Sequence, residues 1–577
     1  MIGLASTRAA REFVAGLIGA GITDCCITPG SRSTPLTLAL AEQPSMKSWL
    51  HLDERSSSFF ALGLARATGR PVAVVCTSGT AASNFAPAVA EASRSRIPLV
   101  ICTTDRPPRL RDRGADQTID QVGMFRSDVR WATDLPVLAE GTSERLFGDC
   151  ARRAVQAALG PLPGPVHVNF PFDEPLVESA GNRPPAPAVR LRRPVARAPI
   201  APDRAAIEAV ARMFAAARRP IIVAGPETGG LPGSVSTLAE SLGIPLLADP
   251  LSGLRCGWER GGHVVDAYDA LLRDPGAVPG LPDLVIRFGG VPTAKVLNQY
   301  LARAADAEHI FVDLPGGVRD PEALATLRID ADPGCAAEAL LNARIEGAAD
   351  ERWLAEWQSK NSAARASLRE SAMAFSDPFE GRVFAALQSN LPDGATIVAG
   401  NSMPVRDMDA FIASSPARLN FVSNRGVNGI DGVTSSALGA AAANGGPVVL
   451  VIGDISFYHD MNGLWAARRH ELDLTIVLVN NDGGGIFHYL PQAEHPDSFD
   501  EWFGTPLGID LSLAVQMYGG EYARIEDWET FGSAIAAGGH GLRVFELRSD
   551  RYHNAEMHRE AWARAGEAAA TEEVVPA

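Results

Sequence analysis

Two polar residues near the C-terminal end of the sequence have the types and the spacing of a metal site. Asp454 follows the apolar run PVVLVIG, and Asn481 follows the run LTIVLVN, 27 positions further on. A carboxylate and a carboxamide offer the oxygen ligands that Mg²⁺ takes in proteins, and waters and phosphate oxygens complete its octahedral shell. The pair therefore predicts a site for a diphosphate held through a metal. The alternative is that Asp454 only ends a strand and Asn481 only begins a turn.

The segments around this pair explain how the two residues could meet. Both runs are short, rich in β-branched residues and bounded by turn residues, which favours two buried parallel strands. The stretch 461–470 between them is predicted to be the crossover helix. A right-handed crossover brings the ends of both strands to one edge of a sheet, so the two side chains should lie close together.

A second candidate acid, Glu54, stands in the N-terminal part of the chain. The segment HLDERSSSFFALGLARATGRP predicts a helix with Asp53 and Glu54 in its first turn and with Gly69 and Pro71 at its end. An acid at this position most often only complements the helix dipole. The nearby segment TSGTAASN, a strand-to-helix turn of small residues, favours a binding role for Glu54.

Helices and apolar strands alternate along most of the chain, which predicts an α/β fold of three doubly wound domains. Two similar outer domains should flank a middle one. The predicted boundaries are a first domain at 1–180, a linker rich in Pro and Arg at 181–202, a middle domain at 203–348, a helical linker at 349–377, a third domain at 378–560 and a tail of frayed helix at 561–577. The N-terminal helix should be capped near Ser6 or Thr7.

Composition narrows the class of protein. The net charge of −16 argues against nucleic acid or an anionic membrane surface as a general partner. The seven cysteines form no CxxC pair, which is typical of reduced thiols in the cytoplasm. Charges interrupt the N-terminal apolar stretch, and glycines and a proline break the most apolar stretch, 437–453, so neither export nor membrane insertion is predicted.

These residues resemble the pattern of the thiamin diphosphate (ThDP)-dependent decarboxylases and synthases, which have an N-terminal Glu and a C-terminal GD…NNDG. Further motifs are similar to one group among them, the 2-succinyl-5-enolpyruvyl-6-hydroxy-3-cyclohexene-1-carboxylate (SEPHCHC) synthases, or MenD family, of menaquinone biosynthesis. The motifs are ITPGSRSTPLTLALAE, TTDRPPRLRDRGADQTIDQVGMF, GNSMPVRDMD, SNRGVNGIDG and GGGIFHYLP. They cover both outer domains densely and the middle domain weakly.

The resemblance implies an activity and a cofactor site. The implied reaction is the ThDP-dependent decarboxylation of 2-oxoglutarate, with conjugate addition of the resulting carbanion to isochorismate to give SEPHCHC and CO₂. Glu54 would be the catalytic acid that hydrogen-bonds the aminopyrimidine ring. Mg²⁺ or Mn²⁺ would be bound by Asp454, Asn481 and the Gly483 carbonyl. The other implied cofactor contacts are Ser402, Ile430, Ser456 and Ile486.

The resemblance also implies how the substrates are bound. Both are dicarboxylates, which arginine can bind through two parallel hydrogen bonds. The implied substrate contacts are Ser31, Arg32, Arg106, Asp116, Gln117, Lys295, Arg406, Arg425, Phe487 and Leu490. Two positions depart from the family pattern, because Asp116 stands where an amide is expected and Ile455 stands in the third position of the superfamily's GDG. Arg109, Arg111 and Arg113 are predicted to be surface or rim residues.

In that superfamily the cofactor lies between the first domain of one chain and the third domain of another. The resemblance therefore implies a homodimer or homotetramer with active sites at subunit interfaces. One alternative function is another ThDP-dependent 2-oxoacid decarboxylase or an acetolactate-synthase-like carboligase, although small neutral acceptors do not need several guanidinium groups. An alternative of another class is a nucleotide-binding oxidoreductase or a non-catalytic α/β binding protein, but the middle-domain glycines in VAGPETGGLPG lack the GxGxxG spacing.

Overall fold

The computed structural model describes residues 2–138, 143–177, 194–257, 262–345 and 349–572. Within these residues the chain forms three six-stranded sheets, each with helices between its strands. The predicted α/β class with three sheets is confirmed. The predicted domain boundaries stay predictions, and residues 181–193 of the predicted linker lie outside the described residues. Residues 194–202 form neither helix nor strand.

The first sheet has the strand order β2-β1-β3-β4-β6-β5, and all of its neighbouring strands pair in parallel. Its strands are β1 (Asp24–Ile27), β2 (Lys47–Leu50), β3 (Val72–Cys76), β4 (Leu99–Asp105), β5 (Ala132–Asp134) and β6 (Val166–Pro171). Its helices are α1 (Ile2–Gly19), α2 (Thr34–Ala41), α3 (Glu54–Thr68), α4 (Thr80–Ser83), α5 (Ala86–Ser95) and α6 (Arg145–Ala158). The predicted cap near Ser6 or Thr7 is wrong, because α1 begins at Ile2 and buries Ser6.

The second sheet has the order β12-β11-β10-β7-β8-β9 and is also parallel. Its strands are β7 (Pro220–Ala224), β8 (Leu246–Ala248), β9 (Val264–Val265), β10 (Leu284–Phe288), β11 (Glu308–Asp313) and β12 (Leu327–Asp330). Its helices are α7 (Arg204–Ala216), α8 (Ser234–Leu242), α9 (Tyr268–Leu271), α10 (Lys295–Arg303) and α11 (Pro333–Asn342). Strands with continuous apolar runs, such as β7 and β8, are buried along their whole length, as a sheet covered on both faces requires.

The third sheet has the order β14-β13-β15-β16-β18-β17. Its strands are β13 (Thr396–Ala399), β14 (Asn420–Val422), β15 (Val448–Gly453), β16 (Leu474–Asn480), β17 (Glu521–Arg524) and β18 (Leu542–Arg548). The helices of this part of the chain are α12 (Glu351–Ala374), α13 (Arg382–Asn390), α14 (Met403–Phe411), α15 (Val433–Ala442), α16 (Asp454–His459), α17 (Leu464–Arg469), α18 (Pro496–Phe499), α19 (Ser512–Met517), α20 (Trp528–Ala537) and α21 (Arg551–Ala570). Counted from its own first strand, this sheet has the same order as the first sheet.

The C-terminal helix continues well beyond the predicted end of the third domain. Ala561, Ala565 and Ala569 of α21 are fully buried, and α21 packs along α12. The prediction of a frayed tail is therefore wrong for 561–570, while 573–577 lie outside the described residues.

Contacts divide the chain into two compact units. Unit 1 consists of Met1–Ala198, Asn424–Gly445 and His459–Leu474, and therefore combines the first sheet with α15 and α17. Unit 2 consists of Pro199–Ser423, Gly446–Tyr458 and Thr475–Ala577, and holds the second and third sheets. None of the described helices has the length and apolar character needed to cross a membrane.

Candidate active site

In unit 2 the predicted metal-binding pair lies at the carboxyl edge of the third sheet. Strand β15 ends at Gly453 directly before Asp454, and β16 ends at Asn480 directly before Asn481, so both predicted strands are confirmed. Strands β13 and β15 are neighbours, and the strand order reverses between them. Such a reversal opens a crevice at the strand ends where doubly wound sheets bind their ligands. The predicted single crossover helix is wrong in detail, since α16 begins at Asp454 and α17 covers only Leu464–Arg469.

Asp454 ties the ends of the two strands together. The residue is 2% exposed, and its Oδ1 accepts a hydrogen bond from the Ile455 N–H at 2.8 Å. Its Oδ2 accepts one from the Gly483 N–H at 2.9 Å. Burial raises the pKa of Asp454 to about 7; the two N–H donors oppose this rise, and the charges of Glu380 and Asp482 add to it. A bound cation would favour the ionised carboxylate instead.

Gly483 has to be a glycine for the loop after β16 to close. Its φ is +148°, and a Cβ atom built there would lie 2.1 Å from the carbonyl oxygen of Gly504. The Gly483 carbonyl accepts a hydrogen bond from the Gly485 N–H at 3.0 Å, which uses one of its two lone pairs. The second lone pair is the one that a cation could take.

Asn481 has one free coordination atom. Its Nδ2 donates to Oε1 of Glu380 at 2.9 Å. Its Oδ1 is buried and accepts no hydrogen bond from the described residues. Buried polar oxygens are nearly always paired, so an unpaired amide oxygen at the sheet edge that also holds Asp454 is what a cation ligand looks like before the cation binds. The donor set of carboxylate, amide oxygen and peptide carbonyl therefore fits Mg²⁺ or Mn²⁺.

In the described part of the chain, no group of three or more His, Cys, Asp or Glu residues is placed to hold a metal ion. A cation at this edge would thus depend on the amide and the carbonyl as well as on the single carboxylate of Asp454. Such all-oxygen sets, completed by water and phosphate, suit Mg²⁺.

A buried polar network that the sequence did not reveal lies behind Asn481. Glu380 is 2% exposed, and its Oε1 also accepts a hydrogen bond from the Ser549 hydroxyl at 2.8 Å. Burial, and then the charge of Asp407, raise the pKa of Glu380. Burial alone would lower the pKa of His558, but the Asp407 carboxylate, 2.9 Å from its Nε2, raises it overall.

The other predicted residues of unit 2 surround the ends of β13, β15 and β16, apart from Lys295. Ser402 precedes α14 with a φ of +73°, and Arg406 on the first turns of that helix is exposed and donates to the Ser402 carbonyl at 2.5 Å. Ser456 is buried in α16. Half-buried apolar side chains follow Gly483, namely Ile486, Phe487 and Leu490. Lys295 is exposed at the start of α10, after a strand of the second sheet.

In unit 1, Glu54 is the first residue of α3. The Asp53 side chain caps this helix by accepting from the N–H groups of Arg55 and Ser56 at 2.9 and 3.2 Å. Burial raises the pKa of the Glu54 carboxyl, and the nearby Asp53 adds to the rise; hydrogen bonds from its own N–H and from the Thr28 hydroxyl oppose it. Because Thr28 follows β1, the carboxyl group lies at the carboxyl edge of the first sheet. The strand order of that sheet also reverses there, between β1 and β3.

Arg32 and Arg106 lie near each other at the same edge. Arg32 is 6% exposed; it donates to the Phe172 carbonyl at 3.1 Å and to Oε1 of Glu174 at 3.0 Å. Its Nε is buried and has no hydrogen-bond partner among the described residues. Burial and the neighbouring Arg32 lower the pKa of Arg106, while the charges of Glu174, Asp105 and Asp116 oppose this.

Polar groups next to Arg106 include two of the remaining predicted contacts, Gln117 and Asp116. Arg106 donates to the Ser78 hydroxyl, and the Gln117 amide donates to the Ser78 carbonyl at 2.9 Å. Asp116 and Ser31 are exposed. Asp116 therefore takes part in the charge cluster around Arg106 as an acid.

The loop with Arg425 and Ile430 also belongs to unit 1, and both residues are half-buried. A buried acid that the motifs did not suggest, Glu91 of α5, holds this loop. Its two carboxylate oxygens accept hydrogen bonds from the N–H groups of Gly426 and Val427, both at 2.8 Å. Arg109 and Arg113 are exposed as predicted, whereas Arg111 is partly buried in ion pairs with Asp105 and Asp134.

Models of thiamine pyrophosphate enzymes match three consecutive parts of the chain. The N-terminal TPP binding domain matches residues 7–124, the middle domain matches 196–397 and the C-terminal TPP binding domain matches 408–544. A Geobacillus kaustophilus protein named 2-succinyl-5-enolpyruvyl-6-hydroxy-3-cyclohexene-1-carboxylate synthase is 46% identical over 567 residues, with 96% of each chain covered. The chain belongs to the SEPHCHC synthase family of ThDP-dependent enzymes. A family member from Chloroflexus aurantiacus is 44% identical, over 97% of this chain and 96% of its own.

Membership in this family confirms the resemblance predicted from the motifs. The N-terminal match covers strands β1 to β4 of the first sheet, and the C-terminal match covers strands β14 to β17 of the third sheet. These two sheets have the same strand order. The match of the middle domain extends the relationship to the part of the chain in which motifs were sparse.

Proposed function

We propose that this enzyme decarboxylates 2-oxoglutarate with ThDP and adds the resulting succinyl carbanion to isochorismate, giving SEPHCHC and CO₂ in menaquinone biosynthesis. The observation that carries the proposal is the identity of 40–46% to proteins of that name along nearly the whole chain. The two sheet edges described above would supply the groups that this reaction needs.

The third-sheet edge would bind the diphosphate end of the cofactor. Asp454, the Asn481 amide oxygen and the Gly483 carbonyl would hold Mg²⁺ or Mn²⁺, which neutralises the diphosphate charge. Ser402 and Ser456 would donate hydroxyl hydrogen bonds to phosphate oxygens. Apolar contacts to the rings would come from Ile430 and Ile486.

Glu54 would act at the other end of the cofactor. When bound, ThDP supplies the carbon nucleophile and accepts the electrons released by decarboxylation. The proposed role of Glu54 is to share a proton with the aminopyrimidine nitrogen. Since burial raises the pKa of Glu54, its carboxyl group keeps a proton to higher pH than an exposed glutamate does and can donate it to that nitrogen.

Arginines would bind the substrate carboxylates. Arg32 and Arg106 are adjacent at the first-sheet edge, and a buried guanidinium binds a carboxylate more strongly than an exposed one does. We assign the remaining substrate contacts to Ser31, Asp116, Gln117, Lys295, Arg406, Arg425, Phe487 and Leu490. Phe487 and Leu490 would provide an apolar wall that keeps water away from the reacting carbon.

We propose a homodimer or homotetramer with active sites at subunit interfaces, as the family resemblance implies. We also propose a cytoplasmic location, because the seven cysteines are free thiols and six of them are buried. Purified protein at two concentrations, measured by light scattering together with specific activity, tests the assembly. An active monomer would contradict it.

The decisive assay mixes the enzyme with ThDP, Mg²⁺, 2-oxoglutarate and isochorismate, and omits each in turn. CO₂ and the coupled product are followed by mass spectrometry. We expect SEPHCHC only when all four are present. Product from 2-oxoglutarate and a small ketone, but none from isochorismate, would instead identify an acetolactate-synthase-like carboligase.

A further inference from the structure

The amide group of Asn481 is held in one orientation by a neighbouring acid. The Glu380 carboxylate accepts from the Asn481 Nδ2 at 2.9 Å, and the same carboxylate oxygen accepts from the Ser549 hydroxyl at 2.8 Å. A carboxylate that only accepts hydrogen bonds can face the NH₂ group of an amide but not its oxygen. The Asn481 oxygen must therefore point away from Glu380.

Glu380 is itself fixed in place. It is fully enclosed by protein, and its backbone N–H donates to the Asn554 side-chain oxygen at 3.1 Å. Asn554 lies in α21, which begins shortly after β18, so the acid is anchored to an element outside the loop that holds Asn481. The orientation of the amide thus depends on contacts beyond the GD…NND motif.

The unpaired oxygen is the consequence of this arrangement. Oδ1 of Asn481 is buried without a hydrogen-bond partner among the described residues. Meanwhile both oxygens of the neighbouring ligand Asp454 accept backbone N–H groups, from Ile455 and from Gly483. Asp454 is thus oriented by backbone N–H groups of the loops at the strand ends. Asn481 is oriented by the side chain of Glu380, which is about one hundred residues away in sequence.

We infer that Glu380 is the positioning residue of the metal site: it holds the Asn481 amide so that its oxygen, and not its NH₂ group, faces the cation. This inference rests on the proposed function, because it requires that Asn481 bind the metal of the ThDP complex. Groups that orient metal ligands commonly change metal affinity by about 10- to 100-fold when they are removed.

The test uses variants at this one carboxylate. Glu380→Met removes the acceptor and keeps the length of the side chain, and Glu380→Ala removes it without adding bulk. Glu380→Gln keeps a carbonyl oxygen that can accept from the amide. Ser549→Ala is the matched control, since it removes the other hydrogen bond to the same oxygen and leaves the Asn481 contact in place.

The readout is Mg²⁺ affinity measured by calorimetry on the full-length protein with saturating ThDP, together with the Mg²⁺ concentration that gives half-maximal turnover. We expect Glu380→Met and Glu380→Ala to weaken Mg²⁺ binding by about 10- to 100-fold, with kcat recovered at high Mg²⁺. Glu380→Gln and Ser549→Ala should weaken Mg²⁺ binding by less than about tenfold. Circular dichroism identifies any variant that does not fold. If one of Glu380→Met and Glu380→Ala does not fold, the other one is enough for the test.

Three results would overturn the inference. The first is an unchanged Mg²⁺ affinity in a folded acceptor-free variant. The second is an equal loss in Glu380→Gln, which would assign the effect to charge. The third is a loss of turnover that no Mg²⁺ concentration restores, which would indicate a general structural role. Absence of the proposed ThDP–Mg²⁺ site would look different, because the wild-type protein itself would then bind no Mg²⁺ together with ThDP. A different acceptor substrate would show only in the product assay and would leave these Mg²⁺ affinities unchanged.

Discussion

The first and third sheets have the same strand order, yet their carboxyl edges are built from different chemistry. At the third-sheet edge an enclosed carboxylate and an enclosed amide are fixed by backbone N–H groups and by Glu380. At the first-sheet edge Arg32 is paired with Glu174, a residue that is 72% exposed in its side chain. The strand order of a sheet thus determines where a ligand can bind, whereas the side chains at that edge determine which ligand binds there.

The two edges also differ in how far they are organised before a ligand binds. The third edge leaves the Asn481 amide oxygen without a hydrogen-bond partner among the described residues, so this oxygen could bind a cation. The first edge holds its guanidinium groups near acids of the same chain, including Glu174 and Asp116. A substrate carboxylate would have to compete with those acids. We therefore expect the third edge to respond to substitution by loss of cofactor, and the first edge by loss of turnover or of substrate affinity.

The largest effect is expected for Glu54→Gln. The amide cannot share a proton with the aminopyrimidine ring, so kcat should fall by about 10²- to 10⁴-fold, the usual contribution of a general acid or base. ThDP and Mg²⁺ affinities, measured by calorimetry, should change little because the proposed metal ligands are on the other sheet. Unchanged turnover would remove the acid role from Glu54.

A large loss of cofactor binding is expected for Asp454→Ala. This change removes the one charged group of the proposed metal site, so Mg²⁺-dependent ThDP affinity should fall by more than the factor of about 100 seen when orienting groups are removed. Calorimetric titration of ThDP with and without Mg²⁺ measures the effect. Normal affinity would show that Asp454 is not a ligand, and the contrast between the two edges would disappear.

The arginine edge should show a selective effect on substrate. Lysine keeps the charge of Arg106 but cannot form two parallel hydrogen bonds, so Arg106→Lys should raise the KM of a dicarboxylate substrate by about tenfold. Arg109→Lys is the matched control, since Arg109 is exposed and pairs with Asp173. An equal change in both variants would assign the effect to general electrostatics.

Lowering the pH should weaken Mg²⁺ binding at the third-sheet edge. With the pKa of Asp454 raised to about 7 in the metal-free protein, a proton must leave before the carboxylate binds Mg²⁺. As the pH falls below 7, the apparent Mg²⁺ affinity should drop by up to about tenfold per pH unit. Titrations between pH 5.5 and pH 8 test this, and an affinity that is flat across that interval would contradict it.

The smallest effect is expected at Glu174. If this exposed acid competes with substrate for Arg32, Glu174→Gln should lower the substrate KM by a factor of about two to five, the range of an exposed ion pair. Asp149→Asn removes another exposed ion pair, with Arg152, and should leave KM unchanged. A raised KM in Glu174→Gln would show that the acid supports Arg32 in substrate binding.

Sequence patterns predicted individual strands and helices of this structure, but they did not predict contacts between residues that are far apart in the sequence. The runs before Asp454 and Asn481 gave correct strands because a buried parallel strand needs a continuous apolar run. The short strands β2 and β5 were not predicted, since β2 lacks such a run and β5 has only three residues. The error in the tail came from its Ala and Glu content; alanines at 561, 565 and 569 have the four-residue spacing of a buried helix face.

The partners of the site residues could not be predicted from local patterns. Glu380 is separated from Asn481 by 101 positions, and Glu174 is separated from Arg32 by 142. Neither acid lies in a motif with a fixed spacing to its partner. Only the packing of α21 and the path of the chain after β6 bring these groups together.

The most direct test of the account is a crystal structure of the enzyme with ThDP and Mg²⁺. We predict the cation bound to Asp454, the Asn481 amide oxygen and the Gly483 carbonyl, and a Glu54 carboxyl group in hydrogen-bond contact with the aminopyrimidine ring. Cofactor bound elsewhere, or a cation without Asp454 and Asn481 as ligands, would contradict the assignment of both sheet edges.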